Sequence, residues 1–208
     1  MLVVCHSGLS FRSDTVITDS TISGNTARRS TAALSASSQT LIVSTISNST
    51  IAFNHADVNS PYAAVYFRGQ SASSSLTLQS TIIANNTAGA SNVEADLFLA
   101  PGYGVLSSAG ADNLIMSANV PFPPPGVITV TSDPKLGPLQ FNGGTTRTHA
   151  LLPGSPAIGL GNHDAMPQGS TNDQRGAGYP RTTGTGANET TDIGAFEFDT
   201  IFAASFDF

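Results

Sequence analysis

The sequence predicts an all-β fold, a parallel β-helix, on three observations. A hexapeptide returns almost unchanged three times, as "STISGN" at 20–25, "STIAFN" at 49–54 and "STIIAN" at 80–85. The composition, with 11% charged residues, a single lysine (Lys135) and no tryptophan, leans on Ser, Thr, Asn, Ala and Gly, which favour strands and tight turns over helix. The apolar segments are short (positions 16–17, 41–43, 64–67, 76–78 and 97–99) and bounded by turn residues, and no window sustains a helical i, i+3, i+4, i+7 pattern.

The repeat carries the architecture. A unit of about thirty residues, strand-turn-strand-turn, cannot bury its apolar face alone; stacked on copies of itself about 4.8 Å away, it can. Ile22, Ile51 and Ile82 are expected to superpose as an inward ladder, with Thr21, Thr50 and Thr81 pointing outward. Asn25, Asn54 and Asn85 are expected to stack at a bend, where asparagine tolerates left-handed backbone and its amide bonds to the units above and below. Upstream of each hexapeptide the register is looser: Val16, Thr45 and Leu76 align by count while their apolar neighbours slip by one. The alternative is a β-sandwich with similar strands, though sandwiches rarely repeat side chains at fixed spacing.

Residues 1–120 are thus read as the coils. The run "PFPPPG" at 121–126 cannot donate ladder hydrogen bonds and breaks regular structure. Residues 121–198, rich in Gly and Pro, read as an irregular, loop-rich C-terminal cap, and 199–208 as a tail. The opening "MLVVCHSGLSF" holds an apolar run too short for a secretory signal or a membrane span. With the exported character argued below, the chain reads as a C-terminal piece of a longer protein, and Leu2 to Phe11 as a sticky edge.

Charge and cysteine usage narrow the function. A net charge of −6, with seven arginines beside Lys135, leaves no basic stripe for nucleic acid. Cys5 is the only cysteine, so neither an intrachain disulfide nor a cysteine metal cluster can form.

Catalytic patterns are thin. An acidic-glycan hydrolase needs grouped carboxylates and an Arg-x-Lys pair for the uronate. Lys135 sits in "DPKLGP" with no arginine two residues before it, and Asp57, Asp96 and Asp112 fall in different turns, away from Arg28, Arg29 and Arg68. These read as solvated turn residues. His149 reads as a hydrogen-bonded packing residue, and His163 with Asp164 lacks a second histidine at ligand spacing. No phosphate loop or nucleophile elbow is present in a supporting context. The better constellation is Asp173, Arg175, Arg181, Asp192 and Glu197, where carboxylate–guanidinium pairs would fix loop backbone. A calcium site completed by Asn162 or Asn172, and catalysis, stay open there. Tyr62, Tyr66 and Phe67 form the one close aromatic cluster of the repeats, and Asn48, Asn85 and Asn188 match glycosylation sequons.

Three motifs in order, "DPKLGPLQFNGGTTRTHALLPGSPAIGLGN" at 133–162, "DQRG" at 173–176 and "DIGAFE" at 192–197, resemble the bacterial choice-of-anchor Q domain proteins. The "STIxxN" repeats are similar to those of that family and of the polymorphic outer-membrane proteins. The resemblance implies a right-handed, pectate-lyase-like solenoid that is secreted or held at the bacterial cell surface. It brings no reaction with it. The expected function is accordingly non-catalytic adhesion or surface interaction, with glycans or cell-surface components as partners, no nucleic acid, no transmembrane segment, and no cofactor unless calcium. The alternative is a carbohydrate-active β-helix that binds or cleaves polysaccharide.

Overall fold

The computed structural model describes residues 2–3, 9–28, 31–38, 41–57, 64–69, 73–100, 105–106, 112–119, 128–184 and 189–198. The "PFPPPG" run, Cys5, Arg29, Tyr62, Asn188 and the 199–208 tail lie outside them. The described residues form an all-β molecule without helices, in which strands far apart in sequence pair in parallel.

Each pass of the chain lays one strand in each of several sheets, in the same order. Leu9–Phe11, Leu34–Ser38, Val65–Gly69 and Leu97–Leu99 form one four-stranded sheet. Thr15–Thr18, Val43–Ser47, Ser75–Gln79 and Val105–Leu106 form a second. Leu2–Val3, Thr21–Ser23, Thr50–Ala52, Ile82–Ala84, Asn113–Ile115 and Ile128–Val130 make a six-stranded sheet. Thr26–Ala27, His55–Ala56 and Thr87–Ala88 stack in parallel beyond it, and Val93–Glu94 closes that last sheet antiparallel.

The alternation of each strand fills the space between the sheets. In Val65–Gly69, Val65 and Phe67 are buried while Tyr66 and Arg68 are half-buried. Val65 lies level with Leu34 and Leu97, and Phe67 with Ala36 and Leu99. These residues join Ile22, Ile46, Ile51, Leu76, Leu78, Ile83 and Ile115 in one apolar core. Each of the larger side chains, Val, Leu, Ile and Phe, contributes about 1.5–3 kcal/mol by leaving water.

The register corrects the repeat alignment in its third copy. Ile22 pairs with Ile51, but Ile51 pairs with Ile83 and Ile83 with Ile115. Ile82 lies level with Thr50 and Leu114 instead, outside the inward ladder. Counting "STI" from Ser80 misled because the strand carries two isoleucines and Thr81 occupies the place held by Ser20 and Ser49. Ser20 N–H donates to Ser49 Oγ (3.3 Å), and Thr81 N–H to Asn113 Oδ1 (2.9 Å). Thr81 is therefore buried at the corner and does not point outward.

The asparagine ladder shifts with it. Asn25 Nδ2 donates to Asn54 Oδ1 and Asn54 Nδ2 to Asn86 Oδ1, both at 2.8 Å, so Asn86 and not Asn85 continues the stack. The backbone N–H of Asn25 and of Asn54 reaches the same acceptor one unit on, at 3.1 and 3.0 Å. The residue before each ladder asparagine takes left-handed backbone: Gly24 at φ 69°, Phe53 at 58° and Asn85 at 59°. A second left-handed stack, Asp19, Asn48, Ser80 and Asp112, lies two residues ahead of the level positions Thr21, Thr50, Ile82 and Leu114.

The C-terminal residues pack along the flank of this array, across the six-stranded sheet. A hairpin of Leu136–Phe141 and Arg147–Leu151 pairs antiparallel, with Pro138 at its irregular step, where no ladder donor is needed. Outward-facing Ile82 and Leu114 are buried against Ala150, Leu151, Ala157, Ile193 and Phe196. The alignment slip thus has a use: it makes that sheet's outer face apolar where the flank segment lies.

The ladder assignment is tested by a pair of variants. Asn54→Ala leaves buried donors and acceptors unsatisfied above and below, and should lower the unfolding free energy by about 1–3 kcal/mol in a urea titration. Asn85→Gly keeps the left-handed turn and breaks no ladder bond, so it should stay within about 0.5 kcal/mol of the parent. Equal losses for the two would place the ladder elsewhere.

Candidate functional site

The motif-bearing acids and arginines of the flank segment meet in one buried network. In "DQRG", the Arg175 guanidinium folds back on Asp173 two residues earlier: Nε lies 2.9 Å and Nη2 2.7 Å from Oδ2. Asp173 Oδ1 also accepts Arg175 N–H at 2.8 Å, and Oδ2 accepts Glu197 N–H at 2.8 Å. Arg175 lies between the Tyr179 and Phe196 rings, at 3.9 and 3.8 Å from their centroids, and donates to the Glu197 carbonyl at 2.7 Å. A planar cation suits that slot because its two faces stack while its edge hydrogen-bonds.

Arg181 is the hinge between segments. Fully buried, it donates through Nη1 to Gly194 O and Glu197 Oε1, both at 2.8 Å, and through Nη2 to Asp19 Oδ1 at 2.6 Å. Asp19 belongs to the repeat array, so this ion pair ties the two parts together. Asp19 also accepts Ser170 Oγ–H at 2.6 Å. Sequence reasoning missed Asp19, because the backbone angle that sets its position, φ 44°, is not visible in the sequence.

"DIGAFE" lies against the sheet by close backbone approach. Gly194 N–H donates to Ser80 O at 2.8 Å, and Ala195 N–H to Thr50 Oγ1 at 3.0 Å. A Cβ on Gly194 would stand 2.8 Å from Ile82 Cδ1 and 2.9 Å from Thr50 Oγ1, at a φ of +109° that favours glycine. Thr21 Oγ1 likewise reaches Gln174 Oε1, at 2.6 Å. The outward threonines of the repeat are therefore docking points for the flank.

Four carboxyl groups (Asp19, Asp173, Asp192, Glu197) face two guanidinium groups here. Burial, followed by the neighbouring Asp192 charge, pushes Glu197 up to about 8 despite the pull of Arg181. Burial raises Asp192 as well, against hydrogen bonds from Phe198 and Gly159. For Arg181 burial disfavours the charge, but Glu197 and Asp19 together outweigh it and hold the group above its ordinary range. Glu197 is thus the group that keeps a proton. Thr191 Oγ1, 2.9 Å from both Arg181 O and Glu197 Oε1, can donate to the carbonyl and accept that proton.

Several of the oxygens a calcium ion would use already accept backbone N–H groups. Asp192 Oδ1 accepts Gly159 N–H at 2.7 Å, Glu197 Oε2 accepts Asp192 N–H at 2.9 Å, and Asn162 Oδ1 accepts Ala165 N–H at 3.0 Å. Asn172 donates to Thr171 Oγ1 at 3.2 Å. Among the described residues no group of three or more His, Cys, Asp or Glu side chains is arranged for a metal.

The remaining candidates are dispersed. His149 is buried in the hairpin with Nδ1 2.7 Å from Gly137 O and Nε2 2.7 Å from Ser23 Oγ. The carbonyl can only accept, so Nδ1 carries the proton and Ser23 donates to Nε2. Burial holds His149 below its ordinary pKa, against the Gly137 bond. His163 meets Glu189 at 3.0 Å, and Asp57 meets His55 at 3.4 Å. Asp96 is a buried ladder residue, not a solvated one: Oδ1 accepts Asn86 Nδ2 at 2.7 Å and Oδ2 accepts Ser117 Oγ at 2.9 Å. Burial raises it to about 6 in spite of these donors. Phe67 is core, whereas Tyr66 stacks on Phe98 at 5.9 Å on the outer face. The sequon residue Asn48 is fully buried.

No family model matches the chain, and no curated protein or solved structure is significantly similar to it.

Two measurements check the network. Gly194→Ala should destabilise the protein by more than about 1 kcal/mol, because strain and the clash with Ile82 add; a neutral result in a urea titration would refute the close approach. The folded chain keeps the Glu197 proton up to about pH 8, while the unfolded chain releases it near 4.5. The folded state therefore binds more protons in that window, and this group's stabilisation, complete below about 4.5, is lost as pH rises through about 8. Glu197→Gln should flatten that decline relative to the parent; parallel stability–pH curves would show that Glu197 is ionised throughout.

Proposed function

We propose that this chain is the body of a bacterial protein, secreted or held at the cell surface, that acts without catalysis in adhesion or surface interaction. In this reading it is a right-handed parallel β-helix of the choice-of-anchor Q type, the family its three C-terminal motifs resemble. The observation that carries the non-catalytic role is the fate of the motif residues. Asp173, Arg175, Arg181, Asp192 and Glu197 hydrogen-bond one another or backbone in the interior and fasten the flank segment to Asp19. Groups so engaged hold backbone in place; an acid–base pair at work must reach a substrate proton.

The parallel stacking at 29- and 32-residue intervals supports the solenoid, since each unit finds its partners in its own copies. A stiff array with polar outer positions, such as Ser35, Thr45, Ser75 and Thr77, suits display of a surface. No helix of the described residues is long and apolar enough to cross a membrane.

The test pairs binding with turnover. The purified chain, presented to immobilised polysaccharides and to intact cells, should bind at least one surface while releasing neither new reducing ends nor unsaturated sugar products. Product formation that follows the protein through purification would overturn the non-catalytic reading. Absence of binding to every surface would overturn adhesion.

A further inference from the structure

A cavity of about 680 Å³ opens between the repeat array and the flank hairpin, lined by Phe53, Asn85, Asp133, Lys135, Leu136 and Pro153 among others. We infer that it is a binding site for a neutral saccharide, the point at which the surface recognition proposed above takes place; the inference rests on that reading.

Three of the wall's side chains, Phe53, Asn85 and Lys135, serve neither the apolar core nor the asparagine ladder. Phe53 is 43% exposed although it sits between two ladder positions, and its turn holds φ 58°, costly for a bulky side chain. Its counterpart one unit earlier is Gly24, which takes the same turn without strain. One side of the Phe53 ring is braced by His149, at 4.9 Å and 51°, and His149 is itself fixed by Ser23 and Gly137. A strained, braced and exposed aromatic offers a flat apolar face to a ligand.

The polar groups match hydroxyls. Asn85, displaced from the ladder, makes no side-chain hydrogen bond among the described residues and brings both a donor and an acceptor to the cavity. Lys135, the chain's single lysine, forms no ion pair among the described residues, and its Nζ lies across Gly154, 3.4 Å from where a Cβ would stand. Asp133 Oδ1 accepts the Lys135 backbone N–H at 2.9 Å, which leaves Oδ2 as an acceptor. Lys135 and Phe53 both hold left-handed backbone, at φ 49° and 58°. A donor-only ammonium, an acceptor-only carboxylate and an amide around an aromatic face fit vicinal hydroxyls above a C–H surface.

Charge selects the neutral class. Asp133 cancels Lys135 within the cavity, and the net charge of −6 repels a polyanion at longer range.

Isothermal titration of the full chain with cellotetraose, mannotetraose and tetragalacturonate tests this. At least one neutral tetrasaccharide should bind, and Phe53→Gly and Lys135→Asn should each raise its Kd by about tenfold or more. Both substitutions suit left-handed backbone, so thermal unfolding should stay at or above the parent's, separating lost binding from lost fold. Unchanged affinity in Phe53→Gly overturns the site. Tighter binding of tetragalacturonate than of either neutral probe overturns the class. If no tetrasaccharide binds while the chain still binds polysaccharide or cells, the cavity falls and the surface function stands; if nothing binds, both fall.

Discussion

The buried side-chain amide at the bend is the constraint from which the rest of this structure follows. Asn54, fully enclosed, must find partners for its donors and its acceptor without water, and leaving them unmade costs about 1–3 kcal/mol. The identical residue of the adjacent unit supplies one partner, and strand carbonyls (Ile22 O at 3.0 Å, Ala52 O at 3.1 Å) supply others. Once that exchange is fixed, the strand register and the isoleucine stack beside it are fixed too, while unit length remains free to vary: Asn25 to Asn54 spans 29 residues and Asn54 to Asn86 spans 32.

The flank segment answers a different problem. A sheet that turns Ile82 and Leu114 outward exposes apolar surface, and irregular Gly- and Pro-rich chain is a poor cover for it because such chain has few ladder bonds of its own. The arginines solve this. Arg175 and Arg181 hydrogen-bond backbone carbonyls and carboxylates together, giving irregular loops the satisfied interior that strands obtain from their neighbours. Burying Asp173, Asp192 and Glu197 with two arginines is electrostatically expensive, and that burial pushes Glu197 up to about 8.

Much of this was legible in the sequence. The repeat announced parallel stacking, and Ile22, Ile51, Asn25 and Asn54 fell where their spacing put them. "DQRG" and "DIGAFE" announced that their acids and arginines would meet. The third repeat is offset by one residue from its spelling because "STI" recurs at 80–82 while the structural unit is "TII", a difference that shows only in the strand register, the Asn54–Asn86 bond and the packing of Ile82 against the flank. Asp19 was invisible for the same kind of reason: its partner, Arg181, is 162 positions away, and no local pattern encodes that distance. Phe53 carries no signal in the sequence, since strain at a turn is a property of backbone angles and leaves no mark on composition.

The amide relay from Asn25 through Asn54 to Asn86 also has a direction. Each Nδ2 hands its hydrogen onward, and the last passes it to Asp96, whose carboxylate can receive but, when ionised, has nothing to hand on. Asp96 ends the amide relay without ending the array: its other oxygen accepts Ser117 N–H at 3.0 Å and Ser117 Oγ–H at 2.9 Å, and Asn113–Ile115 and Ile128–Val130 still stack beyond Ile82–Ala84. An oxygen in place of a nitrogen thus marks the joint at which the bend passes from amide-to-amide bonds to a different set of donors.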